Sequence, residues 1–175
     1  ILRDREFCNL SEVVVRESDT RETLLEKVRL ATILGTMQST LVNFKYVSAM
    51  WKNNCEEERL LGVSLTGIMD NELTNGKSGD TAKLLDELRE EAVKTNKEYA
   101  KKIGIPVAAA ITCVKPSGTV SQLVDSSSGI HPRHSSYYIR TVRGDNKDPL
   151  TNFMIDSGIP SEPDVMKPDT NMVFS

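Results

Sequence analysis

Short apolar runs alternate with longer periodic segments along this chain of 175 residues. The runs NLSEVVV, LLGVSLTGI and VAAAITCV predict strands at 9–15, 60–68 and 107–114. A weakly alternating segment that carries tyrosines predicts another strand at 135–142, and the residues from Asn171 onward read as the opening of a further strand. Continuous apolar runs are typical of parallel strands that are covered on both faces.

The segments between these runs predict helices. Asp19 is followed three residues later by Glu22, a capping-box pattern, and the apolar residues after it keep a 3.6-residue period as far as Val42. Further helices are predicted at 47–52, from Asp80 to Gly104, at 119–124, and from Asp148 to Gly158. Strands and helices therefore alternate, which favours an α/β fold with about five mostly parallel strands.

Composition limits the class of protein. Hydrophobic residues make up 38% and charged residues 27%, a globular balance, and we place no domain boundary between residues 1 and 175. No apolar run approaches the roughly 18 residues of a membrane helix, so we expect no membrane partner. Ile1 stands first and the final strand pattern stops midway, so we expect a piece of a longer chain, truncated at both ends.

Charge is distributed unevenly. The net charge is −3, but residues 106–144 carry an excess of three positive charges. Their charged residues are Lys115, Arg133, Arg140 and Arg143, against Asp125. This positive segment is too small for a nucleic-acid surface, so we expect no nucleic-acid partner, but it is sufficient for a small anion.

The turn in TCVKPSGTVSQL, at 112–123, is the first candidate site. It joins a predicted strand to a predicted helix, whose first N–H groups are without partners inside the helix. Gly118 would let a phosphate approach the backbone, and hydroxyl groups stand on both sides of it. Equally, Ser117 or Thr119 could simply cap the helix. The residues of the turn leave both interpretations open.

The cysteines and histidines are the other candidates. Cys8 is either a small buried residue or a redox group, whereas Cys113, inside an apolar run, is interpreted as structural. Three scattered cysteines indicate neither a disulfide scaffold nor a zinc site, so we expect a reducing cytoplasm and no metal site. Pro132 separates His131 from His134, which favours a loop role for both. Glu12 is interpreted as facing solvent.

Three stretches together resemble the adenosylcobalamin-dependent (class II) ribonucleotide reductases, most closely the monomeric type that reduces ribonucleoside triphosphates. They are FCNLSEVVVR at 7–16, GVSLTGIMDN at 62–71 and CVKPSGTVSQLVDSSSGIHPRHSSYYIR at 113–140. The third stretch is the most specific, since the dimeric relatives usually carry Pro-Thr-Gly-Thr at the turn. The resemblance extends over nearly the whole chain.

The resemblance implies a fold that periodicity alone does not predict. In that family the catalytic core is a ten-stranded α/β barrel built from two five-stranded halves. Residues 1–175 would form a single partial domain, the second, C-terminal half of that barrel, and would need the N-terminal half as a partner.

The resemblance also implies roles for particular residues. Cys8 matches one of two cysteines that reduce the substrate and become a disulfide. The phosphate-binding loop of the family matches five consecutive residues, Pro116, Ser117, Gly118, Thr119 and Val120. The family's thiyl-radical cysteine would precede Ile1, and the partner of Cys8 also lies outside this chain.

The implied activity is reduction of ribonucleotides to 2′-deoxyribonucleotides for DNA synthesis, in an allosteric enzyme. Adenosylcobalamin would initiate a thiyl-radical mechanism, and a thioredoxin-type reductant would restore the dithiol in the complete enzyme. The alternative is a phosphate- or nucleotide-binding α/β domain without a redox role, in which Cys8 is simply buried.

Overall fold

The computed structural model describes residues 2–115 and 117–175. These residues form two compact units, Ile1–Arg133 and His134–Ser175. The expectation of a single partial domain stays a prediction.

The first unit contains a pair of parallel strands with helices between and after them. In chain order its elements are β1 (Asn9–Val14), α1 (Arg21–Gln38), α2 (Ala49–Glu58), β2 (Leu61–Thr66), a 3-10 turn (Ile68–Asp70), α3 (Thr81–Ile103) and α4 (Thr119–Leu123). β1 and β2 are in register from Asn9 opposite Leu61 to Val14 opposite Thr66. Two helices lie between the paired strands in the sequence, as a parallel crossover requires.

The hydrophobic core lies where α1 and α3 pack together and α1 covers one face of this strand pair. Side chains alternate across the two strands, so Val13 and Val63 point into the core. The other buried members are Val15, Leu24, Val28, Leu61, Leu84, Leu88, Ala92, Ala108 and Ile111. The apolar runs therefore mark the strands because every second residue in them reaches this core.

Helix α1 begins one residue later than the predicted capping pair implies. Thr20 is the N-cap, and it exchanges hydrogen bonds with Thr23: the Thr20 N–H donates to Thr23 Oγ1 at 2.9 Å, and the Thr23 N–H donates to Thr20 Oγ1 at 3.3 Å. Asp19 instead accepts from Lys27 Nζ at 2.6 Å. The predicted extension to Val42 is wrong, since α1 ends at Gln38.

The predicted buried strand at 107–114 is only partly confirmed. The segment runs parallel to β2 but forms a single bridge, between Val63 and Thr112. The Val63 N–H donates to the carbonyl of Ile111 at 2.9 Å, and the Cys113 N–H donates to the carbonyl of Val63 at 3.0 Å. Ala108 and Ile111 are buried, but no described strand pairs with the outer edge of the segment, so most of its other side chains are exposed.

The second unit is an antiparallel sheet with one helix. Its elements are β3 (Val142–Asp145), α5 (Pro149–Asp156), β4 (Ser161–Pro163) and β5 (Asn171–Phe174), with β5 in the centre of the sheet. Asp148 caps α5 through its Oδ1, which accepts from the Leu150 N–H at 2.9 Å. The predicted start of this helix is confirmed by the Asp148 cap. Its predicted end is confirmed by Gly158, which follows it with a φ of +76°.

The α/β class is thus confirmed, but two finer expectations are not. The predicted strand at 135–142 is wrong, since β3 begins only at Val142. The five described strands are also not mostly parallel: two are parallel in one sheet, and three are antiparallel in the other. Within the described ranges these sheets do not close into a barrel, and no helix there has both the length and the apolar composition to cross a membrane.

Asn96 connects three parts of the first unit. Its Nδ2 donates to Thr36 Oγ1 on α1 at 3.0 Å, and its Oδ1 accepts from the Ala108 N–H at 3.0 Å. The side chain is buried, so both bonds are shielded from water.

Replacing Asn96 with alanine should lower the free energy of unfolding by about 1–3 kcal/mol, because the buried Ala108 N–H loses its acceptor. Denaturant titration measures the change. Lys97→Ala, at the next and exposed position of α3, is the control and should shift stability by less than about 0.5 kcal/mol. Equal effects from the two substitutions would contradict this role of Asn96.

Candidate functional site

Gly62, on β2, allows two cysteines from different segments to approach each other. A Cβ atom built on Gly62 would lie 3.0 Å from Cys8 Sγ and 3.1 Å from Cys113 Sγ. The two sulfurs are therefore at most about 6 Å apart, since each is within 3.1 Å of the same point. The same Cβ would lie 2.4 Å from Leu10 Cδ2, so only glycine fits here without a rearrangement.

The expectation that Cys113 is buried within a strand is wrong. Cys113 is exposed, because the segment that carries it follows β2 only as far as the bridge at Thr112. Cys8, immediately before β1, is half-buried, while Cys55 is buried. No local signal in the sequence could have paired Cys8 with Cys113, which are 105 positions apart.

The surroundings raise the pKa of both thiols of this pair, which favours their protonated forms. Burial raises the pKa of Cys8 above its ordinary value, and a negative charge on Cys113 or Glu6 raises it further. Burial also raises the pKa of Cys113, where the ammonium of Lys115 acts in the opposite direction and Glu12 in the same one. In its protonated form, the Cys8 thiol can donate a proton.

Glu12 and Lys115 form an ion pair that fixes the start of the candidate loop to β1. Lys115 Nζ donates to Glu12 Oε2 at 3.2 Å. The Glu12 side chain is only 8% exposed, so the interpretation that it faces solvent was wrong. Its other oxygen, Oε1, is buried and has no hydrogen-bond partner among the described residues. By the alternation of the strand, Glu12 shares a face with Leu10 and Cys8.

The loop itself is held from inside by serine hydroxyls. Ser121 Oγ lies 2.8 Å from both the Ser117 and Gly118 carbonyl oxygens, and Ser128 Oγ also donates to the Ser117 carbonyl. Ser117 is buried, and its own Oγ has no partner among the described residues. Pro116, the first residue of the predicted loop, lies outside the described residues.

The helix-cap interpretation of this turn is not what the structure shows. Gly118 occupies the N-cap position of α4, and no side chain there caps the helix within the described part of the chain. Ser117 and Thr119 therefore have hydroxyl groups that the helix start does not use. Since α4 has only five residues, its dipole adds little to anion binding.

Gly118 lies in open space. A Cβ atom built on it would meet no described atom within 4 Å outside its chain neighbours, and its φ of −78° is negative. No close contact among the described residues therefore requires glycine at this position. Thr119 and Val120, which follow it, are exposed.

The basic residues of segment 106–144 are largely neutralised. Arg133 contacts Asp125 at 2.9 Å and Asp70 at 3.4 Å, and its hydrogen bond holds the pKa of Asp125 below its usual range. Arg143 similarly contacts Asp164 at 2.5 Å within the second unit. The net charge of this segment is thus a weaker argument for an anion than the sequence indicates.

The two histidines do not form part of a metal centre in the described ranges. No group of three or more histidine, cysteine or carboxylate side chains is placed there to bind a metal ion. His131 and His134 are both exposed, and the His134 ring contacts the Tyr138 ring edge-on, with 6.3 Å between centroids.

Comparison with known proteins finds similar reductases. No protein-family model matches the chain. An adenosylcobalamin-dependent ribonucleoside-triphosphate reductase of Lactobacillus delbrueckii subsp. bulgaricus is 27% identical over 197 aligned positions, covering 98% of this chain and 26% of the relative. A reductase of the same name from Euglena gracilis is 28% identical, covering 98% of this chain and 23% of the relative.

A crystal structure agrees. A B12-dependent (class II) ribonucleotide reductase superimposes with a TM-score of 0.71 at 26% identity, over 98% of this chain and 27% of that chain. The resemblance predicted from the sequence is confirmed. The chain is similar to one segment of these reductases, and it spans about a quarter of the length of the curated relatives it matches.

The ion pair between Glu12 and Lys115 can be tested by stability. Lys115→Met should lower the free energy of unfolding by about 1–3 kcal/mol, because it leaves a nearly buried carboxylate without its partner. Chemical denaturation measures it, with Lys77→Met, at an exposed loop lysine, as the control. Combining Lys115→Met with Glu12→Gln should cost less than the sum of the two single changes. If the double variant loses as much free energy of unfolding as the two single variants together, the two residues are not a coupled pair.

Proposed function

We propose that this chain is part of an adenosylcobalamin-dependent ribonucleotide reductase and contributes a redox-active cysteine and the loop that binds the substrate phosphates. The observation that carries the proposal is the match over 98% of the chain, in sequence and in three dimensions, to reductases of this kind. The substrates we propose are ribonucleoside triphosphates, as the names of the relatives state for those proteins. The chain would act in the cytoplasm, as part of a barrel completed by an N-terminal half.

The loop from Pro116 to Val120 is the proposed phosphate site. The buried Ser117 hydroxyl has no partner among the described residues and is available to donate to a phosphate oxygen. Gly118 leaves open space where such an oxygen could approach the backbone. The serines that hold the loop carbonyls keep this backbone in place before the substrate arrives.

Strand β1 carries both the contact to this loop, through Glu12, and Cys8 just before its first residue. Glu12 holds Lys115, next to the loop, and Cys8 lies four residues before Glu12 on the same face. Four residues of extended chain span about 13 Å, a distance of the same order as a ribose with its phosphates. A nucleotide bound by its phosphates at the loop would therefore extend along β1 toward Cys8.

The proposed role of Cys8 follows from its protonation. A neutral thiol can give a proton to the 2′-hydroxyl group, which then leaves as water. One cysteine cannot supply two electrons, so Cys8 and a partner cysteine outside this chain would form a disulfide as the ribose is reduced. A thioredoxin-type protein would return the disulfide to two thiols.

Adenosylcobalamin, when bound by the complete enzyme, supplies the radical chemistry that starts a thiyl-radical mechanism. We assign no residue of this chain to the cofactor. The residues of this chain bind the phosphates and reduce the sugar. The non-redox alternative uses the same loop but gives Cys8 no chemical role, so substitution of Cys8 separates the two functions.

Cys8→Ser in the complete protein should abolish sustained turnover of a ribonucleoside triphosphate while sparing cleavage of the cofactor's Co–C bond. The measurements are deoxynucleotide formed per enzyme over many turnovers and the absorbance change of the cofactor. Cys55→Ser is the matched control, because the Cys55 side chain only accepts from the Phe7 N–H. Undiminished multiple turnover by the Cys8 variant would refute the redox role and favour the non-redox alternative.

Gly118→Val should weaken binding of the ribonucleotide by about tenfold or more, equivalent to about 1.4 kcal/mol, because the side chain occupies the proposed phosphate approach. It should leave thermal stability nearly unchanged, since a Cβ there meets no described atom within 4 Å outside its chain neighbours. Gly79→Val is the control: Gly79 also lies in open space, without a positive φ. Equal nucleotide affinity in both variants would remove the loop from the proposed site.

A further inference from the structure

Cys8 and Cys113 are held on opposite edges of the same strand. The Asn9 N–H donates to the carbonyl of Leu60 at 2.9 Å, at the start of β2, and the Cys113 N–H donates to the carbonyl of Val63 at 3.0 Å on the other edge. Their side chains converge over Gly62, between them. The proposed reductase function uses Cys8 but gives Cys113 no role, so the convergence needs a separate explanation.

A direct disulfide between these cysteines does not fit the backbone. Segments on opposite edges of one strand are separated by two inter-strand spacings, about 9–10 Å. A disulfide requires Cα atoms about 4.4–6.8 Å apart. The sulfurs, however, are at most about 6 Å apart. This spacing leaves room for one bridging atom, since two metal–sulfur bonds of about 2.3 Å separate the sulfurs by about 4.6 Å.

We propose that Cys8 and Cys113 form a two-sulfur clamp for a soft, two-coordinate cation, with Cu(I) as the chemical type. Thiolate ligands select Cu(I) over hard cations. Zinc fits less well, because it requires four ligands, and no group of three or more metal-binding side chains occurs in the described ranges. The inference uses only residues of this chain and holds whether or not Cys8 reduces a substrate.

The charged groups around the sulfurs act on the bound form in opposite directions, and Glu6 opposes a negative charge at Cys8. Two thiols release two protons when they bind one Cu(I), and the resulting pair of thiolates with the cation carries one net negative charge. The Lys115 ammonium favours a negative charge at Cys113, whereas Glu12 opposes it. Lys115 is also paired with Glu12. The effects of these two charges on Cys113 therefore largely offset each other.

Copper titration of the complete, reduced protein under anaerobic conditions tests the clamp, with a chromophoric Cu(I) chelator as the competitor. Cys8→Ser and Cys113→Ser should each lose one equivalent of tightly bound Cu(I) relative to wild type. The double variant should also lose one equivalent and not two, because both sulfurs hold the same ion. Cys55→Ser is the matched control and should lose none.

Two further measurements make the test independent of cysteine replacement. Gly62→Ala combined with Leu10→Ala places a methyl group between the sulfurs while keeping both thiols, and it should remove the same equivalent. Below the thiol pKa values, apparent affinity should rise about 100-fold for each unit of pH, because two protons leave. A tenfold rise in apparent affinity for each unit of pH would indicate that only one thiol loses a proton.

Three results would overturn the proposal: unchanged copper stoichiometry in Cys113→Ser, a loss of two equivalents in the double variant, or a Cys8–Cys113 disulfide found by peptide mapping after mild oxidation. Loss of turnover in Cys8→Ser without any loss of bound copper would support the reductase and reject the clamp. Loss of bound copper in Cys8→Ser with undiminished turnover would support the clamp and reject the redox role.

Discussion

Hydrogen bonding on both edges of β2 is the constraint on which the candidate site depends. One edge holds β1, with Cys8 immediately before it, and the other holds the segment that leads through Cys113 to the loop at Ser117. α1 covers one face of the β1–β2 pair and packs against α3, so the two strands cannot shift without exposing the core. Cys8 and Glu12 point toward the opposite face.

Two glycines serve this arrangement in different physical ways. Gly62 is crowded: Leu10 and both sulfurs occupy the positions around its missing side chain, so the chain itself requires glycine there. Gly118 is surrounded by open space and has an ordinary negative φ. No close contact within the described structure requires a glycine at position 118, in contrast to position 62.

The electrostatics of the candidate site depends on individual ion pairs and not on the net charge of residues 106–144. The excess of positive charge in residues 106–144 is the first indication of an anion site, but Lys115 and Arg133 are committed to carboxylates. What remains is a partly buried ion pair that fixes the loop to β1, and a set of hydroxyl groups. Hydroxyl donors held in place carry a smaller desolvation cost than free cations would.

The sequence by itself determined the elements that depend on neighbouring residues. β1, β2, α3 and α5 lie close to their predicted positions because periodicity, caps and terminal glycines act locally. The resemblance to the reductases likewise rests on continuous motifs. Only the tertiary structure decided that 107–113 forms a single bridge, that residues 135–141 are not a strand, and that Glu12 is buried. It also placed Cys113 beside Cys8, because contacts between residues so far apart in sequence depend on how the strands assemble around β2, which no local pattern encodes.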